Sequence, residues 1–266
     1  MSLFWIFSRQ NFYQQSAYRL NFWLEIAGIM LQIYVVYKLW NVLFEQTPES
    51  FGGITLPQML TYAVLGMLLG SILSIGEGVH TYIQSQVRMG QITSDLMKPV
   101  DFIVHMMARD FGQIFVRLLF FLLPPMVLSY LMFDMVVPTS PAQIAAFVVA
   151  VVQAWVILFF CNFMFGLISF KTLDLMGFSF TYFALVRFAS GQIVPLWMYP
   201  DVLQPILNFL PFKSVFYTPL AIYNGVLNGS AMTTALLVQT AWMVGLFAVA
   251  RLVWGRIHHS LIVQGG

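Results

Sequence analysis

Charge is what this chain has least of: twelve Lys and Arg and ten Asp and Glu, 8% of 266 residues. A soluble domain carries roughly 25% charged residues, so a water-facing surface cannot be built from this sequence. Hydrophobic residues make up 60% and mean hydropathy is +0.83, which places the chain in a membrane. Cysteine is almost missing. Cys161 stands alone in an apolar run, excluding an intrachain disulfide or a thiolate metal site. The cations are dispersed rather than clustered, so no nucleic acid partner is expected. No GxxxxGK[ST] loop occurs, and the chain therefore carries no phosphate-binding loop of its own. His80, His105, His258 and His259 form no HExxH and have no carboxylate at metal-ligand spacing. Ser179 and Ser190 lack a GxSxG setting. Neither a metal site nor a catalytic residue is expected, and an intramembrane enzyme has little to stand on. The N-terminus lacks the basic, apolar and small-residue order of a signal peptide and is expected to be retained.

What the sequence does have is apolar length. A spanning helix needs about 20 mostly apolar residues, and the pattern predicts six, over 21–43, 57–83, 111–133, 142–168, 173–194 and 231–256. The expected fold is an all-α integral membrane protein, one transmembrane domain over 1–266. Residues 1–20 read as an interfacial helix, with a frayed polar leader as the alternative. Pro124-Pro125 should kink the third span. With the N-terminus inside, Arg9, Arg19, Arg88, Lys98, Arg109, Lys171, Arg251 and Arg256 fall on the cytoplasmic side and only Lys38 and Lys213 outside. Both termini are then cytoplasmic, in a multi-pass protein of the cell (plasma or inner) membrane.

One polar stretch interrupts the apolar sequence, residues 84–110. Gly90 lets the chain turn sharply and Pro99 stops helix propagation, isolating a two-turn helix over residues 92–97. Ile92 and Leu96 are four apart and share a face, while Thr93, Ser94 and Asp95 point elsewhere. A small charged knob between two membrane helices is what a soluble partner would grip, and it reads as a coupling helix.

Three further features carry expectations. Gly66, Gly70, Ser74 and Gly78 form a stripe at four-residue intervals, which serves packing inside the subunit or a subunit interface. Glu25, Arg117 and Arg187 lie inside predicted spans, where each costs about 2.5–3.5 kcal/mol at a helix centre. They are candidates for a translocation path, with a Glu25–Arg117 pair or a snorkelling Arg117 as alternatives, and a structural ion pair or carbonyl contact as the alternative for Arg187. Residues 191–230 hold Pro195, Pro200, Pro205, Pro211 and Pro219 in a still apolar sequence. Such backbone is tolerated at membrane depth only inside protein or along a cavity. A re-entrant pair of short helices from the outer face is expected, the alternative being a plain extracellular loop.

The run Arg88-Met-Gly90-Gln91-Ile92-Thr93-Ser94-Asp95-Leu96-Met-Lys98-Pro99-Val-Asp101 resembles the signature of ABC-2-type transporter permeases, basic-Gly followed by Leu-(Arg/Lys)-Pro-(Val/Ile)-Asp. It is closest to the bacterial subgroup with a separately encoded ATPase and often two dissimilar permeases. Leu210-Pro211-Phe212 and Tyr217-Thr-Pro219 are similar to that family's outer segment. The resemblance implies an exporter of a hydrophobic or amphipathic substrate. ATP and Mg would be bound by a partner ATPase, and a second permease, identical or dissimilar, would complete the assembly in lipid. It also implies that Ile92 and Leu96 dock in the ATPase, and that Pro195, Trp197, Pro200, Pro211 and Phe212 belong to an outer gate. A secondary transporter, which would need deep acidic residues, and a non-transporting assembly subunit are the alternatives.

Overall fold

The computed structural model describes residues 19–46, 54–73, 78–172 and 176–264. The expected N-terminal interfacial segment up to residue 18, Ser74 of the small-residue stripe, and Glu77 lie outside them. Every regular element is helical. They are α1 (Arg19–Gln46), α2 (Leu56–Ile72), α3 (Val79–Arg88), α4 (Ile92–Leu96), α5 (Phe102–Arg117) and α6 (Leu123–Met132), followed by α7 (Pro141–Leu167), α8 (Met176–Ala189), α9 (Gln204–Phe209), α10 (Tyr217–Tyr223) and α11 (Gly229–Gln264).

Helix α2 is the buried centre. Thr55 starts it, its N–H donating to Gln58 Oε1 at 2.9 Å, and Pro57 sits in the first turn where no backbone donor is needed. Tyr62, Leu65, Leu68 and Leu69 are buried in the main core. On α1, from Trp23 onward, the buried residues are Ile26, Ile29, Ile33 and Trp40. Their three-, four- and seven-residue spacing is one stripe, and Trp23, Leu31, Val35, Leu39 and Val42 are exposed around it. A long helix that is apolar on its outer face suits lipid.

Helix α7 packs chiefly on α11, α3 and α10. Ala146, Ala150 and Ala154 are buried on α7, and small residues at that spacing allow close approach. Gln239 on α11 is fully buried there and donates to the carbonyls of Ala150 (3.1 Å) and Ser214 (2.7 Å). Gly166 serves the crossing with α3, since a Cβ there would lie 2.8 Å from His80 Cα.

Among the described residues three helices are long and apolar enough to cross a membrane: Trp23–Gln46, Pro141–Phe170 and Gly229–His259. They match the first, fourth and sixth expected spans. The other three expected spans are less regular. The second is divided, with α2 ending at Ile72 and α3 beginning at Val79. Among the described residues the fifth contains the 14 residues of α8. The third lies in a longer helical run that begins before it, at Phe102, and continues to Met132 through a π-helical turn at Leu118–Leu122. Pro124 and Pro125 deprive the preceding carbonyls of N–H partners and crowd them, and the wider turn just before the prolines takes up the misfit.

The proline-rich segment folds into the helices rather than lying on them. Val215, Phe216, Leu220, Ala221 and Ile222 are fully buried, and Tyr217 N–H donates to Ser190 O at 3.0 Å.

Candidate functional site

Two constructions stand out, one at the end of the molecule that carries α4 and one between α1, α2 and α8. At the first, α3 ends at Arg88 and Gly90 takes a φ of +69°, the left-handed value that glycine adopts freely. The chain then makes α4, five residues long, and turns through Lys98 and Pro99 into α5.

The knob is anchored through Asp95. Its carboxylate, 3% exposed, accepts from Tyr82 Oη at 2.7 Å and from Lys98 Nζ at 2.7 Å. Lys98 Nζ also meets His105 Nε2 at 3.2 Å. The same ring nitrogen lies 3.4 Å from Asp95 Oδ1; it accepts from the Lys98 ammonium, which has only donors, when the ring is neutral, and faces the carboxylate as a donor when Nε2 carries a proton. Burial alone would raise the Asp95 carboxyl, but the hydrogen bonds from Lys98 and Tyr82 outweigh it and hold it below its usual value. Burial first, and then the Lys98 charge, lower His105. The Arg109 guanidinium lies over the Tyr82 ring, 3.7 Å from its centre. Asp101 caps α5, its Oδ1 accepting from Val104 N–H at 3.1 Å, while its Oδ2 pairs with Arg251 of α11. Phe102 stacks on Trp254 with ring centres 4.4 Å apart.

The expected outward face of α4 is corrected by this arrangement. Ile92 is 8% exposed and belongs to the chain's own core, and Leu96 packs against that core. Gln91, Thr93, Ser94 and Met97 are exposed instead, Met97 at 84%. Sequence spacing paired Ile92 with Leu96 correctly, but the side they face is inward. Arg88, Gly90, Pro99 and Asp101 lie at the surface around the knob.

The second construction is a cavity of about 720 Å³. It brings together Glu25 and Gln32 from α1, Gly70 and Ser71 from α2, Arg117 at the end of α5, Arg187 of α8, and Gln192 beyond it. The three charges expected inside spans thus border one space. Arg117 Nη1 donates to Ser71 O at 3.0 Å. Gln192 occupies a notch made by two glycines: its Nε2 donates to Gly66 O at 3.2 Å. A Cβ on Gly66 would stand 2.9 Å from Gln192 O, and one on Gly70 would overlap Gln192 Nε2. Gly66 and Gly70 therefore face this chain's own segment. Gly78 is buried where α3 starts.

The residues expected at an outer gate are spread through the proline-rich segment. Trp197 stands edge-on to Tyr62 and Tyr217, at 5.5 and 5.7 Å. Phe212 packs with Leu196 and Leu207, Pro195 is buried, Pro211 is half-buried, and Pro200 is at the surface. Tyr62 Oη donates to Gly191 O at 2.6 Å and ties the start of this segment to α2. Tyr82, His105, Arg251 and Gln192 escape sequence reasoning, because their partners lie 7 to 150 positions away. Among the described residues no cluster of His, Cys, Asp and Glu could hold a metal ion, and Cys161 is buried.

A family model described as ABC-2 family transporter protein matches residues 29–265. No curated protein gives a significant match.

Proposed function

Because the chain belongs to the ABC-2 transporter family, a membrane-embedded, non-catalytic component of a transporter, we propose that it is the permease subunit coupled to a separate ABC ATPase through the α4 knob. The observation that carries this reading is the knob itself. Five residues of helix are tethered to α3, α5 and α11 by Tyr82, Lys98, His105 and the Asp101–Arg251 pair, and they leave Gln91, Thr93, Ser94 and Met97 uncovered. A push on that uncovered side is delivered through short polar contacts to three helices at once.

In this reading the chain crosses the membrane six times, with both termini cytoplasmic. The divided α2–α3 unit holds the second span, the part of the 102–132 helical run from residue 111 onward is the third, and α8 with the proline-rich segment makes the fifth and an outer re-entrant gate. ATP and Mg bind on the ATPase. A second permease, identical or dissimilar, completes the path, and the cargo is a hydrophobic or amphipathic molecule moving outward.

Affinity purification from native membranes tests the coupling. We expect an ABC ATPase to accompany the wild-type chain and to be lost from Met97→Glu and from a Thr93→Arg/Ser94→Arg double variant, with membrane insertion and thermal stability kept. Undiminished ATPase in both variants overturns the docking face.

A further inference from the structure

Within that permease reading, we propose that the cavity between α1, α2 and α8 binds an amphipathic anion, its acidic group held by Arg187 and Arg117 and its apolar body against Ile29, Val36, Ala63, Met67 and Ile193.

Size comes first. About 720 Å³ falls within the roughly 300–1,000 Å³ typical of small-molecule sites. Along α1 the lining runs from Glu25 to Val36, about 16 Å at 1.5 Å per residue. That is tall enough for a headgroup and the first carbons of a chain.

Charge decides the class. Among the described residues two guanidinium groups and one carboxylate border the space, a net excess of one positive charge; Glu25 and Arg117 also have other partners. Arg187 is exposed towards the cavity, and its guanidinium makes no hydrogen bond or ion pair among the described residues. A cation at membrane depth normally turns to a carboxylate, a carbonyl or water. Arg187 is held at the end of α8, beside Gln192, whose backbone and amide are fixed in the Gly66–Gly70 notch. Arginine's planar fork matches the two oxygens of a phosphate or carboxylate.

The apolar lining excludes a bare inorganic ion as the best occupant, since burying Ile29, Val36 and Met67 against water gains nothing from it. Glu25 sits on the α1 side of the same space and repels a second negative charge. The site therefore selects one acidic group joined to an apolar body. A resident membrane lipid and a carried amphiphile share that chemistry.

The test uses the purified full-length chain in neutral detergent, without ATPase, and native mass spectrometry to rank three probes. Phosphatidylglycerol should bind at least tenfold more tightly than diacylglycerol, which has the same tails and no charge. It should likewise outcompete inorganic phosphate. Arg187→Gln should cost phosphatidylglycerol about tenfold, and Glu25→Gln should strengthen it several-fold, a gain that misfolding cannot imitate. Equal binding of diacylglycerol removes charge recognition and overturns the proposal, as does inorganic phosphate binding as tightly as the lipid. Phosphatidylglycerol affinity unmoved by both substitutions also overturns it. Anion selectivity that fails while the ATPase still accompanies the chain sinks this inference alone, and the converse sinks only the coupling reading.

Discussion

Asp95 is a buried carboxylate whose three polar neighbours come from α3, the turn after α4, and α5. Asp95→Asn keeps one acceptor oxygen but removes the charge that faces the Lys98 ammonium and turns an NH2 donor towards Lys98 or the Tyr82 hydroxyl, so it should loosen the knob. The acid response has a definite sign. Asp95 is lowered in the fold, so its ionised form adds stability at neutral pH and the contribution is lost as pH falls through that lowered value. His105 is lowered from 6.5, so its neutral form is favoured in the fold. Its contribution is full above 6.5 and fades as the ring is protonated below it. Once corrected for the intrinsic exchange rate, which itself falls with pH, the protection of residues 88–101 should therefore drop as pH is lowered below 6.5, within the range in which histidine responds. In His105→Gln that drop should be largely lost. An identical pH profile in wild type and variant would take His105 out of the anchor. Asp95 and Lys98 were legible in the sequence because they sit in one short motif. Tyr82 and Arg251 were not, because nothing local marks a hydroxyl 13 positions away or a guanidinium 150 positions away as a partner.

At the scale of elements, the notch in α2 shows what a small-residue stripe can mean. Spacing alone left packing inside the subunit and a subunit interface equally open. Gly66 and Gly70 are covered by Gln192 of the same chain. Gly70→Leu must expel that side chain, and overpacking of this kind costs about 1–3 kcal/mol. A lowered unfolding midpoint in detergent is expected, with part of it recovered by adding Gln192→Ala. An unchanged midpoint would mean that the notch is not needed for packing. Hydropathy located the apolar stretches but not their breaks. It is nearly continuous across 57–83 and 173–194, whereas α2 stops at Ile72 and α8 at Ala189. Helix ends are set by where side chains find partners, such as the Tyr62–Gly191 bond, and an average over apolar residues is blind to that. Proline gave the better signal. Pro124-Pro125 marked the π turn to within a few residues, and the five prolines of 191–230 marked a segment of short helices.

For the whole molecule the orientation can be read with one reactive atom. The sequence holds one cysteine, Cys161, so a Cys161→Ser background is free of competing thiols. In intact cells a membrane-impermeant maleimide should label Asp201→Cys and Asn228→Cys and spare Thr93→Cys, which reacts only after the membrane is opened. Labelling of Thr93→Cys from outside would invert the topology and detach the knob from any cytoplasmic ATPase. The pairing of Asp101 with Arg251 also has a bearing on how the protein is made. The two residues are separated by 150 positions, so Asp101 waits for its partner until 150 further residues have left the ribosome. A nascent or truncated product lacking α11 displays the knob without one of its tethers. If the knob is the docking site proposed above, recruitment of an ATPase favours subunits that have already made α11.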